Sequence, residues 1–285
     1  MTRRQFLKAL CLGGVGVAGG WSAYHLGWER YTLTVERRTL LVPGLPPPLE
    51  GLRVVHLSDF HAGAYTPWEL AERAVHVAMA EQPDIILLTG DYLSMGRGEG
   101  GDLLQVTVEP LDAPLGVWAV LGNHDCVMRR HKVVTRALLS AGAGVLNNAA
   151  APLEIDGCEA WVVGLDDPVT AHADFQRAMK QVPAGAFKIM LAHTPDIIAA
   201  AADVGVNAVF AGHTHGGQVV IPLLGPPLVP SRYGRRFACG AFRFRDTALH
   251  VSRGIGVVPP LVRFCCPPEV AVVTLTAASA SSSEA

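Results

Sequence analysis

Apolar residues in this chain gather into short runs, and five of those runs stop at residues able to bind metals. Leu52 to Leu57 leads into Ser58, Asp59 and His61; Asp84 to Leu88 leads into Thr89, Gly90 and Asp91. Gly116 to Leu121 gives way to Gly122, Asn123, His124 and Asp125, Phe187 to Leu191 to His193, and Val206 to Phe210 to Gly212, His213 and His215. Runs this short, bounded by Gly and Pro and without polar alternation, predict strands buried on both faces. Between them, Thr66-Pro67-Trp68-Glu69 predicts a helix start, with Thr66 as cap and Pro67 in the first turn. That helix is expected to run to about Ala80 and return to the Ile85 strand as a βαβ unit. Arg129 to Ala141 predicts another helix. Leu153 to Leu165 alternates about Asp156-Gly157, which predicts a hairpin that opens a second, more antiparallel sheet. The pattern is that of an α/β domain.

Ligands at the ends of several strands converge at a sheet rim, so the pattern implies a dinuclear metal site. In Asp59-x-His61 and His213-x-His215, residues i and i+2 of an extended chain point to one side, and each pair is expected to face one centre. Carboxylate, imidazole and amide oxygen suit Mn, Zn or Fe, and no thiolate lies in the set. A lone His in an apolar stretch is commonly a satisfied core residue, yet five of the eleven histidines stand just past the ends of these runs. That concentration favours ligands.

The series Asp-x-His, Gly-Asp, Gly-Asn-His-Asp, a lone His and Gly-His-x-His, in order from Asp59 to His215, resembles the calcineurin-like metallophosphoesterase superfamily. The resemblance implies a four-layer αββα sandwich with two divalent metal ions at the C-terminal ends of strands. Carried over by motif, Asp59, His61, Asp91 and His215 hold one ion. Asp91 bridges to the second, which Asn123, His193 and His213 complete. His124 is then the catalytic residue beside the substrate phosphate, with Asp125 orienting its ring. Two cations roughly 3.5–4 Å apart lower the pKa of water and neutralise phosphate oxygens during displacement, while His124 is expected either to stabilise the phosphorane-like charge as imidazolium or to protonate the leaving alkoxide. Purple acid phosphatases place a Tyr three residues after the bridging Asp; here that residue is Ser94, so a ferric–tyrosinate centre is not expected. Beyond His215 the chain resembles the YkuE/YaeI-like bacterial phosphodiesterase branch, whose relatives include UDP-2,3-diacylglucosamine pyrophosphatases of lipid A biosynthesis.

Composition adds an address. Thr2-Arg3-Arg4-Gln5-Phe6-Leu7-Lys8, followed by a Gly-rich apolar run from Ala9 to about Leu26, resembles a twin-arginine export signal. Since about 20 apolar residues span a bilayer, residues 1–30 are expected to be an export signal or a membrane anchor. Passage through the twin-arginine machinery implies a periplasmic or membrane-anchored protein; an inward-facing anchor is the alternative. Residues 31–50 are expected to form a first strand and a stiff linker from Pro43 to Pro48. Residues 51–276 then form the catalytic domain, with a flexible loop from Gly96 to Gly101, and 277–285 a disordered tail. The chain's net charge is −2 and its basic residues favour the N-terminal segment, so the acidic body argues against nucleic acid as a partner. Six cysteines follow no metal or redox spacing, which predicts buried free thiols, with Cys126 the candidate for oxidation.

The substrate is approached through three further features. Ile221 to Pro230 is apolar without alternation, and is expected either to contact lipid or to fold under the second sheet. Arg253 and Arg263 are expected to bind substrate phosphate oxygens, and Arg235 and Arg236 anionic headgroups. Asp166-Asp167-Pro168 reads as a turn and helix cap before Ala171 to Lys180, or alternatively brings Asp166 to the substrate. The resulting expectation is a metal-dependent phosphodiester hydrolase at the membrane or envelope, acting on a lipid-linked phosphodiester or pyrophosphate. A UDP-2,3-diacylglucosamine pyrophosphatase, a protein phosphatase and a non-catalytic metal-binding scaffold are the alternatives.

Overall fold

Neighbouring residues of the apolar runs face opposite ways into two dry spaces. Val55, Leu57, Ile86 and Leu88 pack against helices, while Val54, Ile85 and Leu87 pack between two sheets. Burial on both faces is why these runs carry no polar alternation. The structure is a computed structural model that describes residues 20, 23, 24, 27–94, 100–127 and 130–278.

The first sheet holds β1 (Thr34–Val42), β2 (Arg53–Leu57), β3 (Ile85–Leu88), β4 (Val117–Ala119), β5 (Gly144–Val145) and β12 (Glu269–Ala277), in the order β1-β12-β2-β3-β4-β5. The second holds β6 (Ala149–Ile155), β7 (Cys158–Gly164), β8 (Phe187–Leu191), β9 (Ala208–Ala211), β10 (Gly240–Phe244) and β11 (Thr247–Val251), in the order β10-β11-β9-β8-β7-β6. Helices Trp68–Ala80, Gly101–Val108 and His131–Ser140 cover the first sheet, and Phe175–Met179 and Ile198–Asp203 the second. The four layers are those the resemblance implied. Because β2, β3 and β4 run parallel, as do β8 and β9, their C-terminal ends gather at a common rim.

The Asp156-Gly157 hairpin stands, with φ of 45° and 75° at its two turn residues, the left-handed pair a two-residue hairpin turn needs. The second sheet is antiparallel only at its two edge hairpins. Residues 31–50 are not set apart by a linker. β1 pairs along its whole length with β12, and Leu40, Val42, Leu45 and Leu49 are buried between the sheets. Thr66 caps nothing with its side chain; its hydroxyl accepts from the Val257 N–H instead. The helix after Asp167 is shorter than expected and takes Asp174 as its cap. Gly101–Val108 was not expected as a helix, since Val106, Thr107 and Val108 are β-branched and glycines precede them. Ala277 belongs to β12 rather than to a tail. Most of the export segment, most of the 96–101 loop and residues 279–285 lie outside the described residues.

Candidate metal centre

All seven expected ligands sit just beyond the ends of β2, β3, β4, β8 and β9. Asp59 Oδ1 lies 3.4 Å from His215 Nε2 and 3.9 Å from His61 Nε2, and the two ring nitrogens are 3.2 Å apart. Beside this group, Asp91 Oδ2 is 3.2 Å from His193 Nε2, which is 3.2 Å from His213 Nδ1. The same Asp91 oxygen is 3.5 Å from His61 Nε2, so one atom faces both groups. Its other oxygen accepts from the His124 N–H at 2.8 Å.

The backbone achieves this in a way the spacing did not suggest. Asp59, His61, Asp91, His213 and His215 all have φ between 44° and 70°, so the i, i+2 pairs converge through left-handed kinks, not along extended strands. Such a conformation costs a non-glycine residue about 1 kcal/mol or more and persists where the surroundings over-determine it. Two glycines let the turns close: a Cβ on Gly122 would overlap the Asp91 carboxylate, and one on Gly212 would overlap Ser58 Oγ and Asp59.

Burial keeps the ring of His61 neutral, lowering its pKa to about 3, and holds His215 well below the usual imidazole range. Both therefore offer lone pairs. Burial alone would raise the Asp91 carboxyl, but the His193 and His61 rings hold it well below the ordinary carboxylate range. Burial opposes a charge on His193 as well, yet Asp91 pushes it up to about 10. The centre thus draws positive charge to itself. His193 Nδ1 is 2.7 Å from the Thr89 carbonyl, which turns Nε2 toward Asp91. Asn123 Oδ1 is buried without a hydrogen-bond partner. Carboxylate oxygens, the neutral imidazoles of His61 and His215 and an orphaned amide oxygen fit divalent cations.

Behind the ligands runs a relay that no sequence spacing reveals. Ser58 Oγ donates to Asp59 Oδ2 (2.6 Å) and accepts from Thr89 Oγ1 (2.7 Å). His56 Nε2 lies 2.8 Å from Thr89 Oγ1, and its Nδ1 lies 3.0 Å from His250 Nδ1 across the gap between the sheets. Burial lowers the pKa of both rings, that of His250 to about 4. Their positions facing the other sheet were the available signal, and it reads equally as core.

Five expectations need correction. Asp125 does not orient the His124 ring: its carboxylate accepts from the N–H groups of Asp91 (2.9 Å), Tyr92 (3.1 Å) and Gly122 (3.0 Å). Burial, then the Asp91 charge, raises its pKa to about 7, and its role is to shape the turn that carries Asp91. Arg263 is fully buried and donates to the carbonyls of Arg253, Gly254, Gly256 and Cys266, leaving nothing for substrate. Arg253 is held by Glu269 and Glu36, each at 2.6 Å. Asp166 accepts from the Asp167 N–H within the turn, and does not line the cleft. Cys126 is no reactive thiol, since burial and then Asp166 push its pKa to about 12.

The cleft above the centre has a volume of about 460 Å³. Asp91, His124, His213 and His215 form its floor, and the 219–230 and 258–260 segments its walls. Gln218 joins those walls, donating to the carbonyls of Val258 and Pro260 and accepting from the Val258 N–H. The His124 ring stands edge-on to His61, with centroids 4.7 Å apart.

Residues 52–217 match the calcineurin-like phosphoesterase family. The chain is 29% identical over 282 residues to the uncharacterized metallophosphoesterase YkuE of Bacillus subtilis, an alignment covering 96% of this chain and 98% of that protein. It is 29% identical over 225 residues to the phosphodiesterase YaeI of Escherichia coli, covering 78% and 82%. Identity is 27% over 281 residues to the UDP-2,3-diacylglucosamine pyrophosphatase LpxG of Chlamydia trachomatis, covering 79% and 84%. With the family match running through every residue from Asp59 to His215, the chain belongs to the calcineurin-like phosphoesterase family and is a hydrolase of phosphoesters.

Proposed function

We propose that the protein hydrolyses phosphodiesters with the help of two divalent ions, and that its substrate carries the phosphate on a lipid. The observation that carries this reading is the two-sided cleft. Its floor is the Asp/His centre, and its walls are Val219, Pro227, Leu228, Val258, Pro259 and Pro260. An acyl chain against those walls gains roughly 25 cal/mol per Å² of apolar surface removed from water. No Arg or Lys is found among the described residues lining the cleft, so charge on the phosphate is left to the centre.

Asp59, His61, Asp91 and His215 would hold one ion, and Asp91, Asn123, His193 and His213 the other. When bound, such ions supply Lewis acidity toward phosphate oxygens and water. His124 is kept for the reaction. Its backbone bond to Asp91 fixes where the residue stands, and its ring borders the cleft. From there it gives a proton to the departing alkoxide or, as imidazolium, faces the charge gathering on the phosphoryl oxygens. Asp125 serves by keeping Asp91 in place, and the apolar walls limit water around the reacting phosphate.

The likeness to LpxG favours a second reading, with UDP-2,3-diacylglucosamine as substrate. Two acyl chains suit the same walls, whereas a uridine diphosphate finds no cationic side chain among the described lining residues. The export-like start supports an envelope substrate, while the second reading requires an inward-facing anchor. Hydrolysis by the full chain, stripped of metal and reloaded with Mn, Zn or Fe, tests both. Bis-p-nitrophenyl phosphate, its monoester counterpart, phosphatidylglycerol and UDP-2,3-diacylglucosamine are offered side by side. Cleavage of the diester and the phospholipid, lost on stripping and regained on reloading, is the expected result. UMP release from the last substrate alone selects the second reading, and preference for the monoester rejects both.

A further inference from the structure

We infer that the mouth of the cleft is a membrane-docking face, set against a lipid bilayer by the segment preceding Glu29. The inference deepens the lipid-linked reading above and rests on it for the use of the face. Its structural basis is separate. The buried Glu29 carboxylate accepts from the backbone N–H groups of Cys265 (2.8 Å) and Cys266 (2.7 Å). Arg30 Nη1 donates to the Leu261 carbonyl at 2.6 Å. These bonds tie the start of the domain to the same stretch of chain that supplies Val258, Pro259 and Pro260 to the cleft wall. Glu29, where the described domain begins, is therefore fixed beside the cleft mouth. Between Ala9 and Leu26 the sequence ahead of it contains no Asp, Glu, Lys or Arg.

Across the mouth stands the second half of the face. Leu223, Leu224 and Leu228 are exposed on the 221–230 segment, as is Leu261 on the facing one. The segment is a built turn rather than a slack loop. Leu224 and Gly225 both donate to the Ile221 carbonyl, Ile221 donates to that of Gly225, and Arg235 Nη1 donates to the Leu224 carbonyl at 2.7 Å. It thus holds leucines out in water, where apolar side chains in such a group mark a contact surface. Exposed Arg232, Arg235 and Arg236 follow closely in sequence, and cations beside apolar side chains suit anionic lipid headgroups. A second copy of this chain would also cover the leucines. It would give no reason for the sequence just ahead of the anchored Glu29 to be an uncharged run, and the bilayer accounts for both.

The experiment uses the full chain with vesicles of phosphatidylcholine and phosphatidylglycerol, some containing brominated acyl chains that quench tryptophan. Leu224→Trp places a reporter on the face. Val106→Trp, at an exposed position on the Gly101–Val108 helix, places one elsewhere. The expected result is loss of the added fluorescence for Leu224→Trp and none for Val106→Trp. Equal quenching of both reporters, no quenching of either, or failure to associate with vesicles overturns the inference. So does loss of vesicle association on dilution into dimer-dissociating conditions, with Leu224→Trp shielded only in the dimer. Pairing Leu223→Asp with Leu224→Asp should weaken partitioning by at least about tenfold, because each leucine no longer enters the apolar layer. A folded double variant with unchanged partitioning also overturns it. Failure of the proposed function would look different: wild-type protein silent on bis-p-nitrophenyl phosphate and phosphatidylglycerol, with quenching at position 224 intact.

Discussion

Two groups of buried charge lie back to back in this fold and behave in opposite ways. On the rim side, Asp59, Asp91 and four imidazoles point donor atoms at one another, and Asn123 Oδ1 has no partner. Behind them, Arg263 is surrounded by carbonyls and Arg253 by two carboxylates. The two sets touch through the backbone, where Ile255 donates to the Ser58 carbonyl and Gly256 to that of Asp59. Burial does not separate them, since both are dry. Saturation does. A charge whose hydrogen-bonding capacity is filled by its own chain holds structure, whereas donors that converge without filling one another have been left for something else.

The contrast can be broken most forcefully at His124. On the proposed mechanism, replacing it with Ala should lower kcat by roughly 10²–10⁴-fold with metal content unchanged, because that reading sets the ring against substrate and not in the ligand set. Elemental analysis checks this, and loss of one ion would move His124 into the ligand set. Arg263→Leu attacks the other side. It leaves several buried carbonyls unpaired and should destabilise the protein by about 3–5 kcal/mol, with KM for a soluble diester unchanged. A denaturant midpoint that stays put, or a raised KM, would return Arg263 to the substrate. The finest probe is Ser58→Ala, which removes the donor to Asp59 Oδ2 and should weaken metal affinity by about tenfold. Titration of the stripped protein by calorimetry reads it directly. Wild-type affinity would mean that the relay from His250 to Asp59 is packing alone.

The same distinction explains what could be read before the fold was known. Strand ends, the ligand order from Asp59 to His215 and the Asp156-Gly157 hairpin are local: each depends on residues within a few positions, and each was legible. The roles of Asp125, Arg253 and Arg263 were not. A carboxylate or guanidinium in a sequence carries its charge but not its partners, and here those partners are backbone groups brought in from distant turns. Even the convergence of the paired candidate ligands was anticipated for an incomplete reason, since i, i+2 spacing does not disclose left-handed φ at Asp59, His61, His213 and His215.

The sequence by itself determined the donor set, the unbroken apolar runs that make double-faced buried strands, and the family to which that order of motifs belongs. Only the tertiary structure decided which charges are already satisfied, that β1 is an edge strand rather than a preface, and that Glu29 and Arg30 anchor the chain beside the cleft. The reason is physical. Periodicity and residue type are properties of neighbours along the chain, whereas hydrogen-bond saturation and the place where a segment leaves the fold are set by neighbours in space.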